Sequence, residues 1–397
     1  MVHQLFATSI GLWLLYGTSV LAIWDLKSTF EDLKAQKGLV YTPEEEAQHL
    51  ARFEEDLKAQ AEFISTEDVA ELYDETRPAI MQSFVDEINS KQKTWTASIE
   101  QGRFETFSLR DAKRLCGTLR EAASGLTKKV YAPEELKDLP TDFDARSEFP
   151  KCSGVIGHIR DQSACGSCWA FGPTEAFNDR LCIKSDGKFT ALLSAGEMNA
   201  CAPSFGCGGG YPRAAWKWLH DAGIATGGDY VETGEMTKAD GCWPYDFRPC
   251  AHHVKSTKYP ACPEKDYSAP QCVQQCHNGK YPASVKEDRH FMVESSPHQY
   301  SSVEDAKKAI STDGPVSAAF DVYEDFLAYK SGVYKHTSGS LLGGHAVKII
   351  GYGEENGEGY WLVANSWNED WGDHGFFKIA FGDSRIDGQL LGGTPGV

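Results

Sequence analysis

Residues 162–172 read QSACGSCWAFG, which sets Cys165 and Cys168 three positions apart with a tryptophan directly after the second. Such a pair supports three chemistries: a dithiol redox couple, half of a metal site, or a disulfide cysteine standing beside a reactive thiolate. A redox pair belongs in a compact βαβ unit, and the flanking residues do not read as one. A zinc site needs two further ligands, for which Cys250, His252, His253 and Cys262 are candidates, but an oxidising compartment favours disulfides over thiolate ligands. The nucleophile reading asks for a thiol at a helix N-terminus, a distant histidine to share its proton, and a third group to orient that histidine. Cys168 precedes WAFG and EAFNDRLCI, His345 stands in LLGGHAVKIIGYG, and Asn365 in YWLVANSWNEDWGDHGFF. All three requirements are met, in the order Cys, His, Asn.

The elements that must hold these groups can be placed from pattern. Residues 168–183 predict a helix whose N-terminal dipole favours a thiolate at Cys168. HAVKIIGYG, GYWLVANSW and GFFKIAF predict strands, with His345 at the start of one and Asn365 on the next. Residues 242–299 predict a long, disulfide-laced loop region. Pro173 falls inside the predicted helix, where it removes one hydrogen bond and costs about 3 kcal/mol unless the helix kinks.

The chain has 397 residues and a formal charge of -18. That length allows one large or two ordinary domains with flanking segments, and the acidity argues against nucleic acid or an anionic membrane as partner. IGLWLLYGTSVLA (10–22) fits the apolar core of a secretory signal ending near Ala22, and it is too short to span a bilayer. With a signal peptide, twelve cysteines imply a disulfide framework. Eleven of them follow residue 139 (152, 165, 168, 182, 201, 207, 242, 250, 262, 272 and 276), so at least one thiol there is unpaired. Upstream, 23–138 is rich in Glu, Lys, Ala and Leu with helical spacing at 30–63 and 77–98. Composition changes abruptly near Leu139, which marks an accessory region joined to a functional body.

These motifs resemble the papain family of cysteine peptidases, in its cathepsin B branch. The likeness covers roughly 77–397 and rests on the Cys168 segment, GCGGGYP (206–212), CWPYDFRPCAHH (242–253), GGHAVKIIGYG (343–353) and NSWNEDWGDHGFFKI (365–379), with KRLCGT (113–118) and LPTDFDAR (139–146) upstream. The resemblance implies an α+β, two-lobed fold, a helical left lobe and a β-barrel-like right lobe around a cleft, preceded by a mainly helical propeptide. It implies a signal peptide at 1–22, a propeptide at 23–138 and a mature peptidase domain at 139–397.

By the same resemblance Cys168 is the nucleophile, His345 the proton donor to the leaving amine, and Asn365 the group that fixes the imidazole. Gln162 and the Cys168 backbone N–H form the oxyanion hole, Trp367 shields the Asn365–His345 hydrogen bond, and Gly209 and Gly210 let substrate backbone lie close. The implied disulfides are Cys152–Cys182, Cys165–Cys207, Cys201–Cys272, Cys242–Cys276 and Cys250–Cys262. Residues 250–262 resemble an occluding loop in which His252 and His253 hold a substrate's C-terminal carboxylate, anchored by Asp161, Asp370 and Lys258. Asp387 is the expected acidic residue for a basic side chain at the second substrate position. Protein and peptide substrates, the chain's own propeptide and cystatin-like inhibitors are the implied partners. No metal or cofactor is expected.

Some positions depart from the family pattern. Ser163 and Ala164 stand where Gly-Ser is usual, and one disulfide beside Cys201 is absent. Residues 30–63 resemble cathepsin L-type inhibitory helices, and removal of 23–76 is expected to accelerate activation if they inhibit. No N-x-S/T sequon occurs, so delivery to a lysosome or vacuole, or secretion, is expected from the family alone.

Overall fold

The computed structural model describes residues 77–102, 104, 107–121, 124–250, 260, 267–293 and 297–397. The expected signal segment 1–22, the 30–63 helices, and His252, His253, Lys258 and Cys262 lie outside the described residues.

Two helices belong to the upstream segment. Helix α1 (Gln82–Lys91) turns Val85 and Ile88 inward. Helix α2 (Leu109–Arg114) is started by a capping box in which the Ser108 side chain accepts from the Asp111 N–H and the Asp111 carboxylate accepts from the Ser108 N–H. The chain leaving α2 enters the cleft. Helix α3 (Cys168–Lys184) is buried almost all round, as expected of a helix with apolar residues on every face. It runs unbroken through Pro173. Helix α4 (Ala195–Cys201) packs beside α3, and α5 (Pro212–Asp221) opens on the proline whose fixed φ suits a first helical residue. Pro212, Ala215, Trp216 and Leu219 form the buried stripe of α5.

The strands are β1 (Trp95–Ala97), β2 (Thr127–Lys129), β3 (Phe143–Asp144), β4 (His298–Tyr300), β5 (Val316–Tyr323), β6 (Tyr329–Tyr334), β7 (Leu341–Glu355), β8 (Glu358–Ala364), β9 (Phe376–Ala380) and β10 (Leu390–Gly392). Helix α6 (Val303–Asp313) precedes β5. The order across the sheet is β1-β6-β9-β8-β7-β5-β10-β4-β2, with β3 paired to β7 outside that path. This is an open mixed sheet with two ends, not a closed barrel, and with the helices it makes the expected α+β fold. Both ends are strands of the upstream segment: β1 lies on β6 and β2 lies parallel to β4. Edge strands expose unpaired N–H and C=O groups, and here the upstream segment covers those of the body.

One aromatic core spans the two regions. Trp95, Phe104 and Phe107 from upstream pack with Phe320, Phe326, Tyr329, Trp367, Trp371 and Phe377 of the body. Phe104 meets Trp367 edge-on at 5.2 Å. The predicted strands are present, but His345 lies inside β7 and Asn365 just beyond β8, one residue past Ala364. The expected loop region 242–299 has no helix or strand among its described residues up to 297, but its last two residues belong to β4.

Four disulfides have the expected pairing: Cys152–Cys182, Cys165–Cys207, Cys201–Cys272 and Cys242–Cys276. Cys250 is also disulfide-bonded. Among the described residues only Cys116 and Cys168 are free. A bonded Cys165 removes the dithiol redox reading, and a bonded Cys250 removes a thiolate from the zinc alternative.

Candidate active site

Cys168 is the first residue of α3, where backbone N–H groups lack intrahelical acceptors and favour negative charge. The loop before it is locked by neighbours. Ser167 Oγ and the Tyr245 hydroxyl are 2.8 Å apart, and that hydroxyl donates to the Gln162 carbonyl. Ser163 has a φ of 57°, a left-handed conformation that suits glycine better than serine. It is held there because its N–H donates to Asp161 Oδ1 and its hydroxyl donates to the Arg248 carbonyl.

The expected catalytic residues converge. His345 Nε2 lies 2.7 Å from Asn365 Oδ1, and both residues are buried. Trp367 lies against the imidazole with ring centroids 4.6 Å apart. His345 Nδ1 is buried with no other hydrogen-bond partner. Burial opposes ionisation of the Cys168 thiol, but the charge and hydrogen bond of His345, the Thr118 hydroxyl and the Ala346 N–H together hold it below its ordinary value. A nucleophilic thiolate paired with an imidazole is the chemistry this arrangement supports.

The upstream segment fills the cleft as a surrogate ligand. Gln162 Nε2 donates to the Leu115 carbonyl at 3.0 Å, while its Oε1 accepts from the Ser366 hydroxyl. A carbonyl of the upstream segment thus occupies the Gln162 amide donor. Thr118 Oγ1 lies 3.3 Å from Cys168 Sγ. The Thr118 N–H donates to Gly344 O, the Leu119 N–H to Gly210 O, and the Gly210 N–H to Gly117 O. Gly210 thus pairs with the backbone of the upstream segment, and Gly209 lies beside Gly117. A Cβ on Gly209 would lie 2.7 Å from Gly117 O, and one on Gly210 would strike the Trp169 ring at 2.5 Å.

Two other expectations meet different outcomes. Asp161 accepts from Asn368 Nδ2 at 2.9 Å, and through Ser163 it is linked to Arg248, two residues before Cys250. Asp370 donates its N–H to Asn368 Oδ1. Asp161 therefore stands near the start of the expected loop, and Asp370 is joined to it through Asn368. Asp387 Oδ1 accepts from the buried Trp361 Nε1 at 2.7 Å, and burial, with the charge of Glu304 on α6, raises its pKa. The indole N–H of Trp361 on β8 thus holds one oxygen of this carboxylate. Sequence reasoning did not find Leu115, Thr118, Asp321 or Arg213 as cleft residues, although KRLCGT carried the first signal.

A buried charge cluster joins the helix that carries Cys168 to the strand that carries His345. Lys348 of β7 lies 2.9 Å from Asp179 and 3.7 Å from Glu175, both on α3, and donates to the Ile156 carbonyl. One turn nearer the nucleophile, a Cβ on Gly172 would meet the Val347 carbonyl at 3.0 Å, so glycine permits this close approach. Burial raises Glu175 from 4.5 to about 7, against the opposing pull of Lys348 and Arg160. A carboxyl whose folded pKa exceeds its unfolded one binds its proton more tightly in the fold. Its stabilising share is full below about pH 4.5 and is lost as pH rises through about 7, on the order of 3 kcal/mol. The melting temperature should therefore fall between about pH 5 and about pH 7.5, and Glu175→Gln should narrow that fall. An unchanged difference by calorimetry would exclude Glu175 as its source.

Comparison with known proteins agrees with this geometry. The family profile described as papain family cysteine protease matches residues 139–390, and that of the peptidase family C1 propeptide matches residues 81–122. Cathepsin B-like cysteine proteinase 4 of Caenorhabditis elegans is 41% identical over 325 residues, covering 81% of this chain and 94% of that protein. A cathepsin B-like cysteine proteinase of Schistosoma japonicum is 44% identical over 326 residues, covering 79% of this chain and 89% of that protein. Among solved structures, proCathepsin B S9 from Trypanosoma congolense superposes with a TM-score of 0.66 at 31% identity, covering 81% of this chain and all of that one.

Proposed function

Because the chain belongs to the papain family of cysteine peptidases, as a cathepsin B-like zymogen with an inhibitory propeptide, we propose that it hydrolyses peptide bonds by a Cys168, His345 and Asn365 mechanism, as endopeptidase and peptidyl-dipeptidase. The Cys168 thiolate attacks the scissile carbonyl, and the Gln162 side chain and the Cys168 N–H receive the oxyanion. His345 gives its proton to the leaving amine and then takes one from the water that cleaves the thioester. Asn365 holds the imidazole in register. The observation that carries the reading is the 2.7 Å bond between His345 Nε2 and Asn365 Oδ1, with the thiol of Cys168 depressed beside the same ring.

Dipeptide removal rests on His252 and His253, which lie outside the described residues. Protonated in an acidic compartment, they would hold a substrate's terminal carboxylate by charge-assisted hydrogen bonds. The chain would enter the secretory pathway through residues 1–22 and act in a lysosome, a lysosome-like vacuole or outside the cell. Cystatin-like proteins are the proposed inhibitors, entering the cleft that the propeptide vacates. A thiol-directed epoxide applied after acid processing should label Cys168. Against a free-acid peptide the processed protein should release C-terminal dipeptides, and His252→Ala with His253→Ala should cut that rate about 10- to 100-fold. Equal cleavage of free-acid and amidated peptides would leave an endopeptidase alone, and no labelling of the folded, processed protein would defeat the peptidase reading.

A further inference from the structure

We propose that Asp321 is the acidic residue that selects a basic substrate side chain, the role expected of Asp387, and that the propeptide occupies this subsite with Arg120. The proposal rests on the peptidase reading above.

Strand β5 lies beside β7 with Asp321 opposite Gly344, the residue next to His345. Alternation along the strand turns Phe320 into the aromatic core and Asp321 to the other face. Thr118, Leu119 and Gly117 are pinned to Gly344 and Gly210 by their backbones, so Arg120 is the first residue beyond that strip. Its guanidinium meets Asp321 with two nitrogens: Nε donates to Oδ1 at 3.1 Å, and Nη2 pairs with Oδ2. This fork geometry is the arrangement by which a carboxylate distinguishes arginine from other side chains. The acid is nearly buried beneath Arg120 in the zymogen. Loss of the propeptide removes that partner and leaves the carboxylate on the cleft wall, two residues along the bound strand from the one that touches Cys168 Sγ.

The residues around it fit the same role. Arg385 approaches Asp321 Oδ2 only to 3.7 Å, with its side chain 59% exposed, so it does not replace the two-nitrogen contact. Glu121, the next propeptide residue, pairs with Arg213 of α5 and accepts from Gln389 Nε2. The wall thus carries an acid and a base in succession, each matched by the propeptide. Asp387, in contrast, spends its carboxylate on Trp361.

The test is the ratio of kcat/KM for peptides with arginine to those with leucine, varied separately at the second and third residues before the scissile bond. In the processed wild-type enzyme the ratio should exceed one at one of these positions. Asp321→Asn should lower it about 10- to 100-fold, and Asp387→Asn should leave it as in wild type. A ratio unchanged by Asp321→Asn, or lowered by Asp387→Asn instead, overturns the assignment. Epoxide labelling of Cys168 in each variant separates the two levels. A variant that labels and cleaves with an unchanged ratio refutes only the subsite, whereas a wild-type protein that neither labels nor cleaves refutes the peptidase reading on which it depends.

Discussion

Cys168→Ser should lower kcat/KM on peptide substrates by about four orders of magnitude or more, close to complete loss. The hydroxyl would occupy the same place at the start of α3 but would not ionise there, since the pairing with His345 that depresses a thiol falls far short of depressing an alcohol to the same degree. Variant and wild type should be matured by the same added protease and assayed after it is removed. Folding is checked by the disulfides Cys152–Cys182 and Cys165–Cys207, which do not involve residue 168. Retention of more than about 1% of wild-type activity would require a different nucleophile.

Gly117→Val should abolish latency. A Cβ at this position would lie 1.9 Å from the Gly166 carbonyl oxygen. Gly166 has little room to yield, because its N–H donates to the Cys207 carbonyl and the preceding Cys165 is tied to Cys207. The propeptide must therefore lift. Lifting breaks the Gly117, Thr118 and Leu119 backbone bonds and takes Leu115 from Gln162 and Thr118 from Cys168. At about 1 kcal/mol for each of several bonds, inhibition should weaken by about 100-fold or more. The readout is the rate at which a thiol-directed epoxide labels Cys168 in the unprocessed chain. Labelling as slow as in wild type would mean that the contacts at residues 115–119 do not hold the enzyme inactive.

The charged cleft residues were harder to read from sequence than the residues of the proposed catalytic set. Cys168, His345, Asn365 and Gln162 each sit in a local run whose types are unusual together, so motif and order single them out as candidates. Asp321 in AAFDVYEDF and Arg213 in GYPRAAW carry no such signal, because an isolated charge on a strand or helix normally marks a solvated face. Asp387 shows the opposite difficulty. Its position near the end of the chain matched a family role, but the indole of Trp361, distant in sequence, takes its carboxylate.

The sequence by itself carried the candidate chemistry: an odd number of cysteines after residue 139, the distant histidine and asparagine, and the change of composition near Leu139. It also determined the main helix and the strands around His345 and Asn365, since these depend on local periodicity. Tertiary structure decided how an open sheet is capped at both ends by upstream strands, and which carboxylate faces the cleft. It also decided that Lys348, Asp179 and Glu175 join the helix of Cys168 to the strand of His345. Those outcomes depend on contacts between residues far apart in the chain, where burial sets the energy of a charge and the nearest partner fixes the direction of its side chain.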